Sequence, residues 1–151
     1  MLNRKSSGFL IAYISRQAHR YYREKFNEFG LNRGSTYILK RLYDQDGINQ
    51  NALSCSAHLD KANITRSISK LLKMGFVTKV KDCNDQRANL IFLTDKAKGF
   101  ETDFIRIYSN WNKVLLENFA PEKREEIYQI LQKISENTED FLNNVGEVNV
   151  K

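Results

Sequence analysis

The chain has 151 residues, a formal net charge of +6, and only seven glycines and one proline. That length suits one domain with a real core, and so little Gly and Pro argues against a turn-rich sandwich or barrel and against a disordered chain. No apolar run approaches the length a membrane span needs, and the two cysteines and two histidines form no metal-ligand spacing.

The charge is unevenly spread. Residues 1–30 carry six Lys/Arg against two acids, and residues 61–90 carry seven against two. Residues 121–151 carry four against seven. A local basic excess of this kind suits a polyanionic partner. The short apolar patch after the basic start is broken by Ser15, Arg16 and Gln17, and no small-residue cleavage site follows. A signal peptide is therefore not expected, and the expected location is the cytoplasm.

In chain order, residues 8–29 read as a helix with Phe9, Tyr13, Tyr21 and Phe26 at near-helical spacing. Ile14, Ala18 and Phe29 widen that stripe, and Gly30 is a natural stop. Asn32 is placed to cap a second helix over 33–44, with Tyr37, Ile38, Leu39 and Leu42 inward. "DQDG" breaks it, Ile48 begins a link with one or two strand residues, and Asn49 can cap a short helix over 50–57 carrying Ala52, Leu53 and Ala57.

The fourth helix lies within "LDKANITRSISKLLKMGFV", residues 59–77, with Asp60 as cap and Gly75 as terminator. Ile64, Ile68, Leu71 and Leu72 share one face. Asn63, Arg66, Lys70 and Lys73 share another, flanked by Thr65 and Ser69. Val77 to Lys81 and Ala88 to Leu93 then form a hairpin around Asp82 to Arg87. Thr94 caps a helix over 95–118 with Ala97, Phe100, Phe104, Ile107, Tyr108, Trp111, Val114 and Leu115 on one broad stripe. Pro121 opens a last helix over 121–143, whose apolar positions are Ile127, Ile130, Leu131, Ile134, Phe141 and Leu142.

The fold expected is mainly α with a small β-hairpin wing: a winged helix-turn-helix with N- and C-terminal dimerisation helices. Residues 31–99 form the winged-helix lobe; residues 1–30 and 100–145 form the dimerisation region, because their apolar stripes exceed what the lobe needs. The polar-faced helix suits the major groove of DNA, and the wing the backbone or the minor groove.

Three motifs carry a family resemblance. "ITRSISKLLKMGFV", "NDQR" and "LTDKAKG" occur in order within residues 31–99. They resemble the recognition helix, the Asp-x-Arg wing and the post-wing Leu-Thr…Gly signature of the MarR family of winged-helix transcription regulators. The chain departs from the pattern at "NALSCSAHL", where Asn51 stands in place of the usual acid, and at Lys79 or Lys81, where an arginine is common. The resemblance implies that Thr65 and Arg66 face the major groove, that Arg87 enters the minor groove, and that Asp85 holds Arg87 in position. It implies a homodimer on an inverted repeat of double-stranded DNA, more often as a repressor. It also implies a small phenolic or anionic effector, for which Tyr13, Arg16, His19, Tyr37 and Trp111 are the candidates, each also readable as plain core.

The chemistry of the residues agrees. An arginine is always charged, planar and weakly hydrated, which suits a narrow minor groove of negative potential. Asn63, Thr65, Ser67 and Ser69 can bond bases or phosphates; Lys70, Lys73, Lys79 and Lys81 are better placed as phosphate contacts. Two other readings stand beside this one. Cys83, in the wing beside Lys81 and Asp82, would make a thiol-based redox sensor, although these neighbouring charges oppose one another. A winged helix serving only protein contacts would not need the basic helix or the wing arginine. An enzyme is not expected: His19 and His58 have no evident partners, no nucleophile–base set or phosphate-cradling loop appears, and neither a metal nor another cofactor is implied.

Overall fold

The computed structural model describes residues 6–55, 61–83 and 88–148. Its elements are α1 (Ser7–Asn27), α2 (Arg33–Asp44), β1 (Ile48–Asn49), α3 (Gln50–Cys55), α4 (Lys61–Lys73), β2 (Val77–Lys81), β3 (Asn89–Leu93), α5 (Asp95–Leu116) and α6 (Pro121–Val148). The fold is mainly helical, with one three-stranded antiparallel sheet in the order β1-β3-β2. The chain divides into two compact units, one ending at Trp111 and the other starting at Asn112.

Local chemistry sets the boundaries. Ser6 caps α1 by accepting the Phe9 N–H, a signal outside the expected start at residue 8. Asn32 caps α2 by accepting the Ser35 N–H at 2.9 Å. Asn49 accepts the Asn51 N–H at 2.8 Å, which starts α3. Asp60 and Ala57, expected as a cap and as a packing residue, lie outside the described residues.

Two helices end in the same way. At the end of α4 the Phe76 N–H reaches the Leu71 carbonyl and the Gly75 N–H the Leu72 carbonyl, with Gly75 at φ 70°. At the end of α1 the Leu31 and Gly30 N–H groups do the same with Phe26 and Asn27, with Gly30 at φ 71°. Both are Schellman closures, which require the left-handed backbone that glycine adopts without penalty. Each joins, through the backbone, two residues whose side chains belong to the core: Phe76 with Leu71, and Leu31 with Phe26.

The first unit has one core. Phe26 of α1, Ile38, Leu39 and Leu42 of α2, and Ile64, Ile68 and Leu71 of α4 meet Ile91 of β3 and Phe100, Phe104 and Ile107 of α5. Tyr43 adds a directed tie by donating its hydroxyl to the Ala97 carbonyl at 2.7 Å. Along α1 only Phe26 is fully buried, whereas Phe9, Tyr13 and Ile14 of the expected stripe are exposed. Helical spacing puts these residues on one face, but none of the described residues of the first unit covers its N-terminal half.

Asp46 locks the sheet. Its carboxylate accepts the Gly47 N–H at 3.0 Å and the Leu93 N–H at 2.8 Å, fastening the turn after α2 to the end of β3. Ile48 lies opposite Ile91, so the link after α2 becomes a third strand. Thr94 closes the other end, donating to the Gly75 carbonyl at 2.7 Å and accepting the Ala97 N–H.

In the second unit, α6 begins at Pro121 and runs to Val148, past the expected end at 143. No proline or positive-φ glycine interrupts it. Tyr128, Ile130, Leu131, Phe141 and Leu142 are all at least half exposed.

Candidate functional site

The helix α4 divides its residues cleanly. Ile64, Ile68 and Leu71 are buried; Thr65, Arg66, Ser69 and Lys73 are exposed; Asn63 and Lys70 are partly so. No Asp or Glu occurs between Lys61 and Lys73. Lys70 and Lys73 lie in the last turn, where the helix dipole favours cations.

Arg66 is hydrogen-bonded to a neighbour on its own helix. Its Nη2 donates to the Asn63 Oδ1 at 2.7 Å, one turn back on the same exposed face. A guanidinium has five donors in a planar fork, so one bond to Asn63 leaves a paired edge available. Thr65 donates its hydroxyl proton to the Lys61 carbonyl at 3.0 Å. What it offers outward is therefore an acceptor oxygen and a methyl group. These suit an exocyclic amino group or a thymine methyl in the major groove. Ser67 differs from its polar neighbours: it is 6% exposed and turned towards α2.

In β2, Lys79 and Lys81 are exposed and lie on the sheet face that carries the buried Val77 and Ile91. Val80 lies on the other face and is 51% exposed. Asp85 and Arg87, the expected wing pair, lie outside the described residues. Cys83 is an exposed free cysteine.

A cavity of about 770 Å³ opens between α1, α2 and Tyr108 of α5. Of the five effector candidates, Arg16, His19 and Tyr37 line it, whereas Tyr13 and Trp111 do not. Trp111 instead stacks on Tyr21, with centroids 5.4 Å apart. The lining also includes Arg20, Arg23, Arg33 and Lys40, and no acid. Arg20 is paired with Glu24 at 2.9 Å, and the Lys40 Nζ sits 5.8 Å from the centre of the Tyr108 ring. Among the described residues Arg16, Arg23, Arg33 and Lys40 form no ion pair. Apolar walls with several unneutralised cations suit a small organic anion. Burial, with Tyr108 and Tyr21 nearby, pushes the Tyr22 hydroxyl up to about 12, so this lining phenol is neutral at ordinary pH. The contribution of Arg23, Arg33 and Lys40 was not foreseen. The only signal was an arginine-rich segment with few acids, and which of its cations converge depends on how α1 and α2 pack.

Among the described residues no group of three or more His, Cys, Asp or Glu is placed to hold a metal, and no helix is long and apolar enough to cross a membrane.

Helix–turn–helix with a hairpin behind it, and an acid-free exposed face on the second helix, define the winged helix-turn-helix class of transcription regulators. Residues 31–88 match the model of the MarR family. A MarR transcriptional regulator from Methanosarcina mazei is similar in structure at a TM-score of 0.79 with 36% identity, over 89% of this chain and 96% of that one. A MarR protein from Peptoclostridium difficile is similar at a TM-score of 0.79 and 28% identity, over 96% and 97% of the two chains. The HTH-type transcriptional regulator YybA of Bacillus subtilis is 29% identical over 129 residues, 85% of this chain and 86% of that protein. The chain belongs to the MarR family. It is a helix-turn-helix transcriptional regulator, not an enzyme.

Proposed function

We propose that this regulator binds double-stranded DNA sequence-specifically in the cytoplasm, as a homodimer on an inverted repeat, and acts as a repressor. The exposed face of α4 enters the major groove, with Arg66 and Thr65 at base edges. Lys70, Lys73, Lys79 and Lys81 meet phosphates, and Arg87, positioned by Asp85, enters the minor groove. The observation that carries this is the Asn63–Arg66 pair on an acid-free helical surface. A guanidinium already held in place loses less entropy when it docks.

The apolar exposures support the dimer. Leu10 and Ile14 of α1, and Ile130, Leu131, Phe141 and Leu142 of α6, are between 45% and 66% exposed. Soluble monomers rarely leave that much apolar surface uncovered. A two-fold pair would set two copies of α4 about 34–36 Å apart, one turn of DNA.

The cationic cavity supports release by a small phenolic or anionic effector. Asn32 and Arg33 line it and also line a smaller cavity beside α4. A ligand there would bear directly on the start of α2.

The test is fluorescence anisotropy on a duplex selected from random DNA, with Arg66→Ala and Arg87→Ala compared to the native chain. Each substitution is expected to weaken binding at least tenfold without loss of helical signal. Unchanged affinity in both contradicts the reading.

A further inference from the structure

The smaller cavity, about 290 Å³, is lined by Asn32, Arg33, Gly34, Asn63 and Ser67. It lies where the first turn of α2 faces the first turns of α4. Asn32 uses its side chain on the Ser35 N–H and its carbonyl on the Thr36 N–H. The Arg33 and Gly34 N–H groups, first in the helix, keep no acceptor among the described residues.

Two further observations point to a ligand. Ser67 is 6% exposed, lines this cavity, and has no hydrogen-bond partner among the described residues. Its Oγ is not itself sealed off, so the hydroxyl is open to the cavity, where it can bond a group that enters. Gly34 is the second: a side chain there would collide with the Ser67 Oγ, so only glycine leaves the hydroxyl this close to the backbone of α2. The lining holds one cation, Arg33, and no acid. The positive end of the α2 dipole points the same way.

We propose that this cavity is a seat for a phosphate of the DNA backbone, in which the Arg33 and Gly34 N–H groups and the Ser67 hydroxyl hold one phosphate oxygen and the Arg33 guanidinium supplies the charge. The proposal rests on α4 being the helix that meets DNA, and it adds α2 as a second contacting element. Asn63 connects the two contacts, because it lines the seat and holds Arg66. A phosphate in the seat would therefore fix the register in which Arg66 meets the bases, without itself reading sequence.

The experiment uses the full chain, the selected duplex, and a set of duplexes in which single phosphates are replaced by neutral methylphosphonates. Ser67→Ala is expected to leave the melting temperature unchanged and to weaken binding roughly tenfold per half-site, the loss of one bond to a charged group in each. The loss should be equal on the selected and on unrelated duplexes. One methylphosphonate position per half-site should cost the native chain more than it costs Ser67→Ala, in which only the backbone amides and Arg33 still meet that phosphate. Arg33→Gln should make the salt dependence shallower by about one per contact removed. If every methylphosphonate costs the native chain and Ser67→Ala equally, the seat is overturned while the reading of α4 stands. Inorganic phosphate, exchanged for chloride at constant ionic strength, separates the other source. If it competes in the native chain but not in Ser67→Ala, and no backbone position couples, the cavity binds a free anion and the proposal fails. If the native chain selects no duplex at all, the proposed function fails first.

Discussion

Arg66 and Asn63 form one hydrogen-bonded pair, 2.7 Å from Nη2 to Oδ1, on the exposed face of α4. Three residues apart on a helix, they sit one above the other. Their value to the fold is small, since both ends are accessible to water; their value to recognition lies in holding a long side chain in one direction.

Asn63→Ala should therefore leave stability within about 0.5 kcal/mol of the native chain. It should weaken binding to a selected duplex by roughly threefold to tenfold. In Arg66→Ala the same change should cost little more, because the pair acts as a unit. Anisotropy on the two single variants and the double variant measures this; additive losses would show that Asn63 acts independently of Arg66.

Lys73 and Lys79 are exposed on α4 and β2. As phosphate contacts they should weaken binding evenly across sequences when changed to alanine. Each should also make the slope of log affinity against log salt shallower by about 2 in a dimer, one per contact removed. Affinities measured from low to moderate salt on selected and unrelated duplexes check both effects.

Phe141 and Ile130 are 66% and 50% exposed on α6. Changing both to glutamate should yield a helical monomer by sedimentation velocity at micromolar concentration, since burying charge in an apolar interface is costly. A dimer that survives the double change would place the interface elsewhere.

Asp46 fastens α2's exit to β3 through the Leu93 N–H. Asp46→Ala should cost about 1–2 kcal/mol, read as a lower urea midpoint, because two backbone donors lose an acceptor.

Burial raises the Tyr22 hydroxyl to about 12 from its ordinary value of 10, with Tyr108 and Tyr21 adding to the effect. The folded state thus holds this proton more tightly than the unfolded state does. The resulting stability is complete below pH 10 and is lost as pH rises from 10 towards 12. Thermal melts across that window should show a falling midpoint, with a shallower fall in Tyr22→Phe.

Much of the fold was legible in the sequence because its signals are local. Gly30, Gly75, Asn32 and Thr94 end or begin helices through bonds spanning a few residues, and Thr94 sits at its expected cap. The partition of α4 into an apolar and a polar face follows from spacing alone. Asp46 was legible only as a turn residue, since its partner Leu93 is 47 positions away. Helical periodicity grouped Phe9, Tyr13 and Phe26 but could not tell which of them the fold covers. Ser67 read as one more polar residue of the recognition face. Its burial depends on Gly34, more than 30 positions earlier, which lets α2 come close. The cavity's cations were illegible for the same reason: Arg23, Arg33 and Lys40 converge only once α1 and α2 pack.

The most direct test is methylation interference on a duplex selected by this chain. Groove reading by paired α4 helices predicts two clusters of interfering guanine N7 positions in the major groove, centred about 10 base pairs apart, with a position in each lost in Arg66→Ala. Interference in a single cluster, or a pattern identical in Arg66→Ala, would contradict it.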